Sequence, residues 1–202
     1  MNTRKILVQK GDFYEVNQRA KESIYYLQSG YVKLCELDAD GNEFMKDHLT
    51  KGDLLGVCLS NSSSPVMEYI VVISSKATLL EIPKSVFNHS IQSNGRFAAA
   101  VVNYSWGRYL KVESMYKRLS YQKNTKNRLA NFILEWAKRD GKINGDSATI
   151  TNYLTHKDIA SLICSTRATV TRLMNEFRTD GQIHYTTRCI KILDLKLLEN
   201  ID

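Results

Sequence analysis

Thr155-His156-Lys157-Asp158-Ile159-Ala160-Ser161-Leu162-Ile163-Cys164-Ser165-Thr166-Arg167-Ala168-Thr169-Val170-Thr171-Arg172-Leu173-Met174-Asn175-Glu176-Phe177 holds two short helices and the turn between them. Thr155 to Asp158 reads as a capping box, in which the Thr oxygen accepts the Asp158 amide hydrogen and the Asp158 carboxylate reaches back. Ile159, Leu162 and Ile163 give the first helix its apolar side, and Ala160 is small enough for a second helix to cross closely. Cys164-Ser165 forms the turn, with Ser165 as the N-cap of the next helix. In that helix Val170, Leu173, Met174 and Phe177 cluster on one side at about 100° per residue. Arg167, Ala168, Thr171, Arg172 and Asn175 take the other. Arg on such a face can donate two hydrogen bonds to guanine O6 and N7 in the major groove. Thr166 and Thr169 are short enough to bond phosphates and fix the register.

The same face would also suit plain solvent exposure, and the sequence that follows decides between the two. Asp180-Gly181 turns the chain, and Ile183-His184-Tyr185 and Cys189-Ile190-Lys191-Ile192 are spaced as two strands. Thr186-Thr187-Arg188 sits at their tip, and Asp194 caps a last apolar segment, Leu195 to Leu198. Two crossing helices followed by a small hairpin make a winged helix-turn-helix. The candidate DNA-contacting set is Thr155, Ser165, Thr166, Arg167, Ala168, Thr169, Thr171, Arg172 and Arg188.

Upstream, Leu129, Phe132, Ile133, Trp136 and Ala137 recur at helical spacing until Gly141 stops them. From about Asn94 to Leu119 the chain has no Pro and only one internal Gly, Gly107. Ala98, Val101, Val112, Met115 and Leu119 form one apolar stripe, interrupted by Ser105 and Arg108. Val102, Trp106, Tyr109 and Tyr116 form a second beside it. So wide an apolar surface predicts a long helix buried twice, on its own domain and on a second copy of itself. The first ~90 residues punctuate as an all-β domain. Gly11, Gly30, Gly41, Gly52 and Gly56 separate the runs Ile24–Leu27, Tyr31–Cys35, Glu43–Met45, Tyr69–Ile73 and Ala77–Ile82. Asp38 to Asn42 suits a hairpin turn, and Ser60 to Pro65 a loop.

The expected fold class is α+β: an N-terminal β-roll (double-stranded β-helix, cupin-like) over 1–93, a long dimerisation helix over 94–120, and a C-terminal winged helix-turn-helix over 121–202. The net charge of +7 fits a polyanion partner. Ten cations between Tyr104 and Lys142 face only Glu113, Glu135 and Asp140, a further basic surface. No signal peptide opens the sequence, and no run nears the ~18 apolar residues of a membrane span, so the expected location is the cytoplasm. Cys35, Cys58, Cys164 and Cys189 are scattered and read as small buried hydrophobes. The four His are scattered too, and the pattern calls for neither a metal nor a cofactor.

On these stretches the sequence resembles the Crp/Fnr family of transcription regulators over nearly its whole length. The match is strongest from Leu154 to Ala160, from Thr166 to Arg172 and from Arg188 to Asp194. The N-terminal part is similar to the family's cyclic-nucleotide-binding roll at Lys10-Gly11-Asp12, Ile24 to Gly30, Asp40 to Glu43 and Gly52 to Gly56. The resemblance implies a homodimer joined through the long helix, double-stranded DNA as partner, RNA polymerase as the machinery regulated, and control by a small-molecule effector bound in the roll. It also marks departures. Cyclic-nucleotide binders follow the Gly matching Gly56 with a Glu for the ribose and place an Arg for the phosphate later. Here Val57 follows, and Met67-Glu68 stand near the Arg position, where a carboxylate repels phosphate. The effector is therefore unknown and is not expected to be cyclic AMP. The clustered N-terminal cysteines of the iron-sulfur members are absent. An enzyme on a cupin-like roll is the competing class, but it needs clustered His and carboxylate ligands. His48 and His89 lie far apart, and this class leaves the helix-turn-helix unexplained, so no enzymatic activity is expected.

Overall fold

A computed structural model describes residues 3–15, 23–37, 40–56, 67–121 and 124–201, apart from the side chains of residues 15, 67, 68 and 118–121. Two compact units divide the chain, Met1–Tyr109 and Leu110–Asp202.

The first unit is a roll of two four-stranded antiparallel sheets. Its strands are β1 (Arg4–Gln9), β2 (Phe13–Glu15), β3 (Ser23–Ser29), β4 (Val32–Leu37), β5 (Glu43–Leu49), β6 (Leu54–Leu55), β7 (Met67–Val72) and β8 (Lys76–Pro83). One sheet runs β1-β8-β3-β6 and the other β2-β7-β4-β5. Alternation supplies the core: Val8, Leu27 and Leu79 come from the first sheet, and Val32, Leu49, Ile70 and Val72 from the second. At Gly30, between β3 and β4, φ is +90° and an added Cβ would lie 2.6 Å from the Ala77 Cβ. Glycine is required there on both counts. The five expected strands are present. Sequence reading missed β1, whose Leu7 is exposed, β2 and the two-residue β6. It also missed α1 (Lys84–Ser93), which follows the last strand directly and had been counted as part of the roll. Asp38 and Ala39 of the expected turn, and the Ser60–Pro65 loop, lie outside the described residues.

The long helix is α2 (Gly95–Tyr121), and the division between the units falls inside it. In the roll unit, Tyr104 and Arg108 anchor it. The Tyr104 hydroxyl accepts from the Leu54 amide at 2.8 Å, and Arg108 donates to the carboxylate of Asp47, buried on β5. Arg108, read as a break in an apolar stripe, is thus an attachment point. Of the first stripe, Val101 and Met115 are half-buried and Val112 is exposed on the single chain. Val102, Trp106, Tyr109 and Tyr116, the second stripe, are all exposed, and Trp106 stacks on Tyr109.

The second unit contains α3 (Thr125–Asp140), β9 (Lys142–Asn144), β10 (Ser147–Thr151), α4 (His156–Leu162), α5 (Arg167–Thr179), β11 (Ile183–Tyr185), β12 (Cys189–Ile192) and α6 (Leu195–Glu199). Its strands form one antiparallel sheet in the order β11-β12-β10-β9. The β9–β10 hairpin, absent from the sequence reading, turns at Gly145-Asp146, where Gly145 has φ +59°. Leu129, Ile133, Trp136 and Ala137 of α3 pack with Ile150, Ile159, Val170, Leu173, Met174 and Phe177 in a buried core. Gly141 ends α3 where a Cβ would lie 2.5 Å from the Ala137 carbonyl oxygen.

Candidate nucleic-acid interface

The two crossing helices are held by local hydrogen bonds that the sequence specifies. At the start of α4 the Thr155 Oγ1 accepts from the Asp158 amide at 3.2 Å, and Asp158 Oδ2 accepts from the Thr155 amide at 2.9 Å. The capping box is therefore complete. The Thr155 hydroxyl also donates to Asp158 Oδ2 at 2.7 Å, so its hydrogen is committed inside the protein.

The turn differs from expectation. Cys164 carries φ +50°, the left-handed region that disfavours a residue with a Cβ. It turns the chain so that the Ser165 amide returns to the Ala160 carbonyl at 2.9 Å. This moves the cap one residue on: Thr166, not Ser165, is the N-cap of α5, its Oγ1 accepting from the Thr169 amide at 3.1 Å. Cys164 is exposed and Cys189 half-buried, so of the three described cysteines only Cys35 behaves as the expected buried hydrophobe; Cys58 lies outside the described residues. Arg128 on α3 supports the turn from beneath. Its Nε donates to the Ile163 carbonyl at 3.0 Å and its Nη2 to the Cys164 carbonyl at 3.3 Å. Those are carbonyls at a helix C-terminus, where a cation is favoured.

On α5 the apolar side is fully buried, whereas Arg167, Ala168 and Arg172 are exposed. Thr169, Thr171 and Ser165 are half-buried. Arg172 pairs with Glu176 at 3.1 Å, and Glu176 also takes Lys126 of α3 at 2.7 Å. The hydrogen bond from Lys126 leads the causes that hold the Glu176 carboxyl below its ordinary range. Thr171 is tied inward: its hydroxyl donates to the Arg167 carbonyl at 2.9 Å and sits 2.8 Å from His156 Nδ1. Burial and then the Arg167 charge push the His156 imidazole below its ordinary pKa. The His156 ring lies 5.8 Å from that of Tyr185 on β11, whose hydroxyl donates to Asn175 of α5 at 3.0 Å. His156 and Tyr185 were missed by the sequence reading. Their period on α4 and β11 marks them only as ordinary polar positions.

Beyond β11 the wing tip is closed by Thr186, whose Oγ1 accepts from the amides of Arg188 and Cys189, and by Asn152, whose Nδ2 donates to the Thr186 carbonyl. Arg188 is exposed there. The candidate interface thus has Arg167, Ala168 and Arg172 exposed on α5 and Arg188 exposed at the wing tip, all within one compact unit.

In the basic run between Tyr104 and Lys142, most of the described cations are engaged within the protein. Arg108 pairs with Asp47, Lys117 with Glu113, Lys126 with Glu176, Lys138 with Glu199 and Arg139 with Asp140, and Arg128 holds carbonyls. These cations chiefly serve the protein's own structure. In the roll, His48 on β5 is buried and His89 on α1 is exposed. No group of three metal-ligating side chains occurs among the described residues. Gly56 has φ +85°, but Val57 and the Glu68 side chain, on which the cyclic-nucleotide argument turns, lie outside the described residues.

Comparison with known proteins reaches both units. Residues 8–94 match the cyclic nucleotide-binding domain, and residues 127–201 match the Crp-like helix-turn-helix domain. The global nitrogen regulator of a Nostoc species is 29% identical over 163 residues, covering 80% of this chain and 73% of that protein. The nitrogen fixation regulation protein FixK of Azorhizobium caulinodans is 23% identical over 204 residues, covering 100% of this chain and 80% of the other. Among solved structures, FixK2 from Bradyrhizobium japonicum superposes with a TM-score of 0.81 at 20% identity, covering 100% of this chain and 98% of that one. A CooA mutant from Carboxydothermus hydrogenoformans gives 0.78 at 22% identity over 98% and 86%.

Proposed function

We propose that this chain, a DNA-binding transcription regulator of the Crp/Fnr family, reads a two-fold symmetric operator as a homodimer through Arg167, Ala168 and Arg172. The observation that carries this reading is the division of α5: four apolar side chains fully buried, and two Arg flanking an exposed Ala on the opposite side. A helix seated in a major groove needs that division, because only outward groups reach base edges. Arg188 at the wing tip and the half-buried Thr169 serve the phosphate backbone. Thr155 and Thr166 act through the helix caps they complete and place the backbone amides near the duplex.

The exposed side of α2 supports the homodimer. Val102, Trp106, Tyr109 and Tyr116 make an apolar stripe, which a second copy can cover by an isologous contact. The effector is a separate matter. The matched domain description names cyclic nucleotides, yet in the sequence Val57 takes the place of the Glu expected for the ribose, and Met67-Glu68 lie near the place of the Arg expected for the phosphate. We assign the roll to a ligand other than cyclic AMP or cyclic GMP. Among the described residues no helix is long and apolar enough to cross a membrane.

Fluorescence anisotropy with a labelled duplex library fraction, read across a salt series, tests the reading. Binding must weaken steeply with salt, since neutralised phosphates release counterions, and Arg167→Ala must lower the preference for specific over random duplex. Equal affinity for every sequence in both proteins would contradict it.

A further inference from the structure

The hydrogen-bond bracket behind α5 has a free end. Thr171 has one hydroxyl hydrogen, and the Arg167 carbonyl 2.9 Å away is an acceptor only, which assigns that hydrogen to the carbonyl. With that assignment, the 2.8 Å contact between Thr171 Oγ1 and His156 Nδ1 is a bond donated by Nδ1. In the neutral ring Nε2 is then a bare acceptor, and no hydrogen bond reaches it among the described residues. The ring is half-buried beside the Tyr185 ring, one residue after the cap of α4. Arg167, the outward base-reading candidate, is its cationic neighbour.

We infer that His156 is a further DNA-contacting residue: its Nδ1–H positions Thr171 and α5, while its Nε2 takes up a proton and donates to a backbone phosphate when DNA docks. The inference rests on the docking of α5 proposed above. A phosphate oxygen is acceptor-only, so it cannot approach a bare Nε2 without repulsion; protonation turns that atom into a charge-assisted donor. The groups around His156 favour this order of events. From α5 it meets Arg167, and from β11 Tyr185, with the Arg178 guanidinium 5.5 Å from the same tyrosine ring. Lys157 is its chain neighbour. Burial first and then the Arg167 charge therefore disfavour the protonated imidazole in the free protein, and among the described residues no carboxylate is recorded acting on it. A phosphate supplies the missing anion. The bound-state pKa is then raised above the depressed free value. The stabilisation of the complex is full below the free pKa and is lost as pH rises through the bound pKa. Contact with a phosphate carries no sequence information, so the proton linkage accompanies specific and random duplex alike.

Operator and random-duplex affinities of the full chain, measured from pH 5.5 to 8.5 at constant ionic strength, test this. The wild type should bind more tightly as pH falls, by up to about tenfold per pH unit for each subunit that takes up a proton. His156→Asn keeps a donor at the Nδ1 position and cannot titrate. It should match the wild type within about twofold at pH 8.5 and show no such rise at pH 6. His184→Gln, which removes the exposed neighbouring imidazole, should keep the wild-type profile. An identical pH profile in wild type and His156→Asn would overturn the inference, as would a flat wild-type profile. A His156→Ala protein with weaker binding and an unchanged profile would reduce the residue to a structural support and also overturn it. Wild-type binding at pH 8.5 separates these outcomes from a failure of the docking itself, which would abolish binding at every pH.

Discussion

Replacing Trp106 with Glu should turn the protein into a monomer and remove operator binding, without unfolding the roll. Trp106 is 60% exposed on a single chain, so it leans on solvent rather than on its own core. A tryptophan offers up to about 250 Å² to burial, so roughly 150 Å² per copy awaits a partner at this position. At about 25 cal/mol per Å² that burial amounts to roughly 3.8 kcal/mol per copy. An isologous contact doubles every change, giving a loss of roughly 7.5 kcal/mol before the cost of burying two carboxylates. Every 1.4 kcal/mol is tenfold in affinity, so dimerisation should weaken by about five powers of ten. Sedimentation equilibrium across micromolar concentrations, beside circular dichroism for the fold, reads both parts. A Trp106→Glu protein that stays dimeric with wild-type affinity would refute the reasoning, as would a wild type that is monomeric at micromolar concentration.

Three further outcomes follow from the same structure. Cys164→Gly should raise stability by up to about 1 kcal/mol in urea titration, because the left-handed cost of a Cβ at φ +50° exceeds glycine's entropic cost in the unfolded chain. A destabilised variant would show that the thiol packs more tightly than its exposure indicates. Arg128→Ala should cost roughly 2–3 kcal/mol of the second unit's stability, since charge-assisted bonds to the Ile163 and Cys164 carbonyls are lost; a change below about 0.5 kcal/mol would reduce the residue to surface decoration. Titration calorimetry with cyclic AMP and cyclic GMP should show no heat of binding, and micromolar affinity for either would overturn the reading of Val57 and Glu68.

Much of the helix-turn-helix was legible because its determinants are local. A capping box is four residues, and the Val170, Leu173, Met174 and Phe177 face is one helical period, so sequence alone displays both. The turn was misread by one residue because a left-handed Cys164 shifts the cap, and nothing adjacent in sequence distinguishes Ser165 from Thr166 as its acceptor. The β9–β10 hairpin carried a readable Gly145-Asp146 turn signal that was passed over. Arg108 could not have been understood from its helix: its partner Asp47 lies 61 residues away on a strand, and only the folded roll brings them together. Nor could the basic run, whose cations are mostly consumed by intramolecular carboxylates and carbonyls. His156 belongs to the same class. Its meaning comes from Thr171 and Tyr185, which two other elements, α5 and β11, bring to it.

The central claim, that α5 reads base edges from two symmetric copies, is tested most directly by selection from a randomised duplex pool. The experiment is run in parallel for the wild type, Arg167→Ala and Ala168→Glu. The wild type should enrich a two-fold symmetric site whose half-sites lie about 34 Å apart, one turn of the duplex. Arg167→Ala should lose roughly 1–3 kcal/mol and relax one base pair per half-site. Ala168→Glu places a carboxylate where the wild type offers only a methyl group, and it should shift the selected sequence toward cytosine at one position. An unsymmetric site for the wild type, or a half-site left unchanged by Ala168→Glu, would contradict the account.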